Sequence, residues 1–250
     1  MEAKPRFLAV AHLKGGSGAT TVAVNLAAGL ALKRRIVVLV DLDPIGAATF
    51  HLAAEPPPRG VADCLEGRAA LPDVLADTAV PGLHLVAASG ALAAWDRKPE
   101  RFPVDMARVL GQVPGGVQDV ILDLPPSAGA IVRGTLAVLP GAVLAAVQTR
   151  ALDLVGFSDL LRLIAELAEQ NPALRLAGVV PVRVNRTALS DEVLDALRRQ
   201  HGERVLPGIR DSIAVARAPL SHVPLQLDAP SAPAAGDFAD LVRAVLKLEG

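Results

Sequence analysis

One glycine-rich turn and two acidic strand ends hold the residues of this chain that could do chemistry. The turn is Lys14-Gly15-Gly16-Ser17-Gly18, followed at once by Ala19-Thr20-Thr21. It joins an apolar run, Phe7-Leu8-Ala9-Val10-Ala11, to an Ala/Leu-rich segment with helical spacing. In such a strand–turn–helix the backbone N–H groups point inward and the helix N-terminus adds partial positive charge, so phosphate binds there. The glycines let the main chain approach without Cβ clashes. Asp41 and Asp43 follow Ile36-Val37-Val38-Leu39-Val40 and share a face by the period of two. Asp123 closes Val117-Gln118-Asp119-Val120-Ile121-Leu122. Carboxylates at the C-terminal ends of parallel strands lie where open α/β sheets bind ligands. The plainer alternatives are a simple connecting turn and solvated acids at strand ends.

These groups need a sheet to hold them. Short, sharply bounded apolar runs read as buried parallel strands at residues 7–11, 36–40, 83–88, 117–123, 142–147 and 176–182. Helical spacing predicts helices over 20–32, 104–113, 152–170, 191–201 and 237–248, with Asp237 in the first turn of the last. Amphipathic stretches lie near 61–65 and 71–75, and a short strand near 205–209. His84 alternates with apolar neighbours and reads as a packed or edge histidine. Trp95 and residues 97–102 fall in a polar connection, and Ser127 is placed to cap the helix after it. No repeat, low-complexity tail or long linker divides residues 1–250, so one domain is expected.

Composition narrows the classes. Apolar residues are 52% and charged residues 20%, which is globular rather than disordered. No apolar run is long enough to span a membrane, and the residues before the first strand lack a secretory apolar segment. Cys64 is the only cysteine, so an intrachain disulfide and a cysteine metal cluster are excluded. A cytoplasmic protein is expected. The net charge of −1 announces no nucleic-acid binder, so DNA contact would need a local patch. With no tyrosine and one tryptophan, a base-stacking platform is not expected.

As one string, Lys14 to Thr21 resembles the deviant Walker A box of the ParA/MinD family of P-loop ATPases, with Ala19 at the P-loop lysine. Val40-Asp41-Leu42-Asp43-Pro44-Ile45-Gly46 resembles the family's second motif, Ile45 replacing its glutamine. Asp123-Leu124-Pro125-Pro126-Ser127 resembles its Walker B and the start of its switch loop. Val184-Asn185-Arg186 resembles the Asn-Arg that contacts adenine in MinD-like members; an ordinary turn role for Asn185 stands beside that. Looser matches continue at 213–219 and 228–231.

The resemblance implies an α/β fold: a single-domain P-loop NTPase with a twisted, mostly parallel sheet of seven or eight strands and helices on both faces. It implies ATP and Mg²⁺ as cofactors. Nucleotide would be held by Lys14, Gly15, Gly16, Ser17, Gly18, Ala19, Thr20 and Thr21, with Asn185 and Arg186 at the base. Thr20 and Asp123 would hold the metal, and Asp43 would position the attacking water. Lys14 either folds back onto its own nucleotide or reaches a partner's phosphates; its place before the glycines favours the second. The implied cycle is a homodimer formed on ATP, with slow hydrolysis stimulated by a ParB-like or other activating partner. Its use is to position plasmid or chromosome DNA, a protein complex or a pole marker, in the cytoplasm or on the nucleoid.

Two departures bear on this. A lysine on phosphate is worth roughly 1.5–3 kcal/mol per charge-assisted bond, so Ala19 weakens ATP by about tenfold to a hundredfold and slows hydrolysis further. CpaE/TadZ-like and BcsQ-like relatives, concerned with pili and cellulose, are similar in lacking this lysine, which keeps open a nucleotide-gated scaffold that recruits a partner without useful turnover. DNA contact rests on Arg183, Arg198, Arg199, Arg210 and Arg217, while Ala214 stands where partition proteins usually carry an arginine. A solvated helix face is the equal alternative. The closing helix lacks the basic amphipathic tail that tethers MinD to membrane, and no helix-turn-helix extension precedes the first strand.

Overall fold

The structure, a computed structural model, describes residues 4–248; the outermost ends of the expected 1–250 domain lie outside them. Eight strands form one sheet: β1 (Arg6–Ala11), β2 (Val37–Asp41), β3 (Leu75–Asp77), β4 (Leu83–Val86), β5 (Asp119–Asp123), β6 (Ala142–Gln148), β7 (Arg175–Val184) and β8 (Ile209–Arg210). Their spatial order is β3-β4-β2-β5-β1-β6-β7-β8, parallel throughout except for antiparallel β3 against β4. The α-helices among the described residues are, in chain order, α1 (Ala19–Ala31), α2 (Ala47–Leu52), α3 (Val61–Leu65), α4 (Phe102–Leu110) and α5 (Ala130–Val138), then α6 (Ala151–Ala168), α7 (Ala188–His201), α8 (Ile213–Arg217), α9 (Leu225–Asp228) and α10 (Pro233–Lys247).

The strands are apolar on both faces because both faces are covered. In β1, Phe7, Ala9 and Ala11 enter one core and Leu8 and Val10 the other; β2, β5 and β6 alternate in the same way. Helices α3 to α7 pack over the first core, and α1, α2 and α10 over the second. Each fully buried Leu or Val side chain contributes about 1.5–3 kcal/mol, so the central strands supply much of the core's stabilisation. Among the described residues no helix is long and apolar enough to cross a membrane.

Several expectations shift. Leu75–Asp77 is a strand rather than the end of an amphipathic stretch, because the β4 edge supplies an antiparallel partner. His84 lies on β4 with strands on both sides, paired with Val38 of β2 and Asp77 of β3, its Nδ1 3.0 Å from Asp77 Oδ1. The 205–209 strand shrinks to β8 and a single bridge from Val205 to Val179. Trp95 is not in a polar connection: it is completely buried in a 3₁₀ turn, Gly90–Arg97, beneath Lys98 and Arg101. Ser127 does not cap α5; its hydroxyl accepts from Gly129 N, while Asp96 reaches across to accept from Ile131 N at 3.1 Å. α10 starts at Pro233, so Asp237 lies beyond its first turn, and its carboxylate grips Arg210.

Candidate functional site

The glycine turn lies at the C-terminal edge of the sheet, between β1 and α1. Gly16 and Gly18 adopt φ +74° and +87°, the left-handed region that side-chain-bearing residues avoid. Gly18 is the N-cap of α1; no side chain caps it, and no acid stands in the helix's first turn. The amides of that turn are thus left for an anion. A cavity of about 380 Å³ opens over Gly15 to Thr21, with Asp43, Leu124 and Arg183 on its walls and Ile45 exposed at its rim.

The three acids play different parts. Asp41 is fully buried: its Oδ2 accepts from Thr49 N and Oγ1 at 2.8 Å each, and its Oδ1 from Asp43 N at 3.1 Å. It ties α2 to the end of β2. Burial lifts its pKa to about 6, against the hydrogen bonds that favour its ionised form. Asp43, just past the strand, accepts from Ile45 N and lines the cavity. Asp123 sits opposite Asp41 in the sheet register and is also fully buried, yet neither of its oxygens has a hydrogen-bond partner. Its pKa is raised well above the ordinary carboxylate value, first by burial and then by the charge of Asp41. The Thr20 hydroxyl lies near enough to oppose that rise, though not in good hydrogen-bond geometry.

An uncapped glycine cradle beside an unpartnered buried carboxylate fits a nucleotide and its metal. Magnesium keeps most of its waters and needs one or two protein groups plus phosphates, which suits Thr20 and Asp123. Among the described residues no cluster of three or more acids, histidines or cysteines forms a metal cage.

Lys14 is held within its own chain. Its Nζ donates to Asp153 Oδ2 at 3.1 Å; the Asp153 side chain is 1% exposed and that of Lys14 43%. His12 braces this corner: its Nδ1 accepts from Lys14 N at 2.9 Å, and its Nε2 lies 3.4 Å from the Asp153 carbonyl. A neutral ring protonated on Nε2 serves both contacts, and burial lowers its pKa accordingly. Gly156 lets α6 come this close, since a Cβ there would meet His12 Cε1 at 2.9 Å. Gln148, at the end of β6, donates its amide to the Gly16 carbonyl. Sequence reasoning missed His12, Gln148 and Asp153, because two of them reach the turn only through the β6–α6 connection, over 130 residues away.

The other predicted residues scatter. Asn185 and Arg186 line a separate cavity of about 560 Å³ with Asp191 and Arg210. The Asn185 Oδ1 accepts from Thr187 Oγ1 at 2.6 Å, beside the Thr187 cap of α7, which is the turn role. Between the two cavities lies a third of about 280 Å³, sharing Gly18, Thr21 and Arg183 with the glycine turn. Arg198 and Arg199 end α7, Arg198 being 3.7 Å from Asp195, and Arg217 ends α8. Arg210 is bound bidentately by Asp237 at 2.7 Å.

Comparison with known proteins agrees with this geometry. Residues 8–225 match the family described as CobQ/CobB/MinD/ParA nucleotide binding domain. The chain is 35% identical to the chromosome-partitioning ATPase Soj of Thermus thermophilus over 249 residues, 98% of this chain and 97% of that one. To the sporulation initiation inhibitor protein Soj of Bacillus subtilis it is 30% identical, covering 96% and 98%. The structure of cobyrinic acid a,c-diamide synthase from Mycobacterium smegmatis with bound ATP analog and magnesium superposes with a TM-score of 0.76 at 30% identity, covering 88% and 91%. The Pyrococcus furiosus cell division ATPase MinD shares the fold, with a TM-score of 0.81 at 20% identity, covering 98% and 100%.

Proposed function

The chain belongs to the CobQ/CobB/MinD/ParA nucleotide-binding family, and on that premise we propose that it is a ParA-like ATP-binding protein that dimerises on Mg-ATP and positions a cargo. The cargo is plasmid or chromosome DNA or a protein complex, in the cytoplasm. The observation that carries this is the pairing of an uncapped glycine turn with the orphaned carboxylate of Asp123. Amides from Gly15 to Thr21 would hold the phosphates, and Thr20 and Asp123 would hold magnesium, whose charge would offset that of the phosphates. Asp43, on the cavity wall, orients the water for attack. Lys14 leaves Asp153 to reach a second copy, so the ion pair belongs to the monomer.

Ala19 favours a second reading, a nucleotide-gated scaffold with little turnover, because the phosphate-bound lysine of active P-loops is missing from its place. DNA contact in this reading rests on Arg183, Arg198, Arg199 and Arg217, since Arg210 is engaged by Asp237. Calorimetry should detect Mg-ATP and Mg-ADP binding at micromolar to millimolar concentrations; no binding of either at millimolar levels would sink the nucleotide reading. Turnover measured with and without DNA and a partner, for the parent and Ala19→Lys, separates the two classes. An active parent supports the positioning ATPase; a parent that is inert until lysine is restored supports the scaffold.

A further inference from the structure

A cation stands at the glycine-turn cavity on β7, which β6 separates from the β1 strand that leads to Ala19. Arg183 is the only lysine or arginine among the described residues lining the cavity over the glycine turn, and it also lines the adjoining one. Its backbone is unusual. The β7–β8 register jumps between Val182 and Val184, leaving Arg183 as the extra residue of a bulge with φ +53°. Bulges next to functional sites re-aim a side chain, and a left-handed non-glycine residue persists only where its surroundings impose it.

Those surroundings are visible. Thr149 donates its N–H to the Val182 carbonyl at 3.3 Å and its hydroxyl to the Arg183 carbonyl at 3.2 Å. Ser190 Oγ in turn bonds Thr149 Oγ1 at 2.9 Å. Gln148, one residue earlier, grips the glycine turn at Gly16, so one strand end fixes both the turn and the bulge. Val182 packs on the first residue of the helix cap, since a Cβ on Gly18 would stand 3.4 Å from Val182 Cγ2. Arg183, the residue after Val182, therefore lies near the N-terminus of α1, on the wall of the cavity that Ala19 also lines. It forms no ion pair with any described residue, whereas Lys14 is held away by Asp153.

We propose that Arg183 is the phosphate-binding cation of this site, supplied from β7 in place of a lysine from α1. A guanidinium suits the task because its fork matches two phosphate oxygens at once. This assignment rests on the nucleotide reading above and withdraws Arg183 from the DNA-contacting set.

The test is equilibrium binding of Mg-ATP, Mg-ADP and adenosine to the parent, Arg183→Gly, Arg183→Lys, Ala19→Lys and the double variant Ala19→Lys/Arg183→Gly. Glycine is chosen because it accepts the left-handed backbone, and a melting curve checks that the fold is kept. Arg183→Gly should weaken both nucleotides by about tenfold to a hundredfold and leave adenosine unchanged, with Arg183→Lys recovering part of the loss. In the Ala19→Lys background the same substitution should cost less than about threefold, since the two cations share one job. Unchanged nucleotide affinity in Arg183→Gly, an equal loss for adenosine, or an equal penalty in both backgrounds overturns the assignment while nucleotide binding by the parent stands. A parent that binds neither nucleotide fails earlier, and the assignment falls with it.

Discussion

Asp119 and Asp123 stand at opposite ends of the same strand, both fully buried, and their environments could hardly differ more. Asp119 receives Arg6 Nε at 2.8 Å and Arg35 Nε at 2.5 Å, so its charge is matched on both oxygens. Asp123 has no hydrogen-bond partner on either oxygen, and its nearest charged neighbour is another acid. A buried carboxylate that is fully partnered organises the fold. One that is left bare four residues away costs stability and waits for something from outside the chain. The N-terminal edge of the sheet is thus finished by folding, and the C-terminal edge is not.

The largest effect should come from breaking the finished end. Asp119→Asn removes the buried negative charge that receives both guanidinium groups and should cost about 3 kcal/mol, read as a lower urea midpoint. If the midpoint holds, the pairing contributes specificity rather than stability.

At the other end the sign reverses. An acid whose folded pKa lies above its unfolded value binds more protons when folded, so it loses stability as pH rises above the ordinary carboxylate range. Asp123→Asn should therefore make the apo protein more stable at pH 8, by on the order of 1 kcal/mol, and abolish magnesium-dependent nucleotide binding. The difference between variant and parent must be followed from pH 5 to 8, because His12 and His51, with pKa values lowered by burial, pull the opposite way below their unfolded values. A parent as stable as the variant across that range would mean Asp123 is not held charged and bare.

Lys14 and Asp153 form an intermediate case, one partner buried and the other half exposed. Lys14→Ala should abolish ATP-dependent dimerisation by light scattering, leave ADP binding by the monomer nearly unchanged and lower stability by on the order of 1 kcal/mol, since it strands the buried Asp153 carboxylate. Dimerisation equal to the parent's would remove the sandwich-dimer reading. The smallest effect belongs to the pair Arg210–Asp237: Asp237→Asn should barely move the urea midpoint. By releasing Arg210 it should raise any salt-sensitive retention on duplex DNA, measured by mobility shift. Unchanged retention would place DNA contact elsewhere.

Much of this contrast was legible beforehand at the site and little of it at the fold's margins. The strands beneath the site, β1, β2, β5 and β6, are apolar on both faces and announce themselves as unbroken runs. The glycine turn and the acids after β2 and β5 are contiguous with those runs, so local sequence finds them. β3 could not be found, because three residues carry no periodicity and only the β4 edge makes them a strand. Trp95 was masked by the charged residues around it, whose stems cover its ring. Arg183, Gln148 and Asp153 have no local signature either. What matters about them is a register shift and a crossover, and these exist only once β6 and β7 have paired with the rest of the sheet.

The burial of Trp95 also equips the molecule with its own optical probe. There is one tryptophan and no tyrosine in the whole chain, so excitation at the red edge of indole absorption lights a single site. Its ring faces Lys98 Nζ at 4.6 Å and the edge of Phe102, and the next residue, Asp96, holds the first turn of α5. That helix begins just past Pro125 and Pro126, the exit from Asp123. A rearrangement of this exit would pull on Asp96 and change the emission colour and lifetime of its neighbour, so a stopped-flow trace without a label tests whether Mg-ATP moves it.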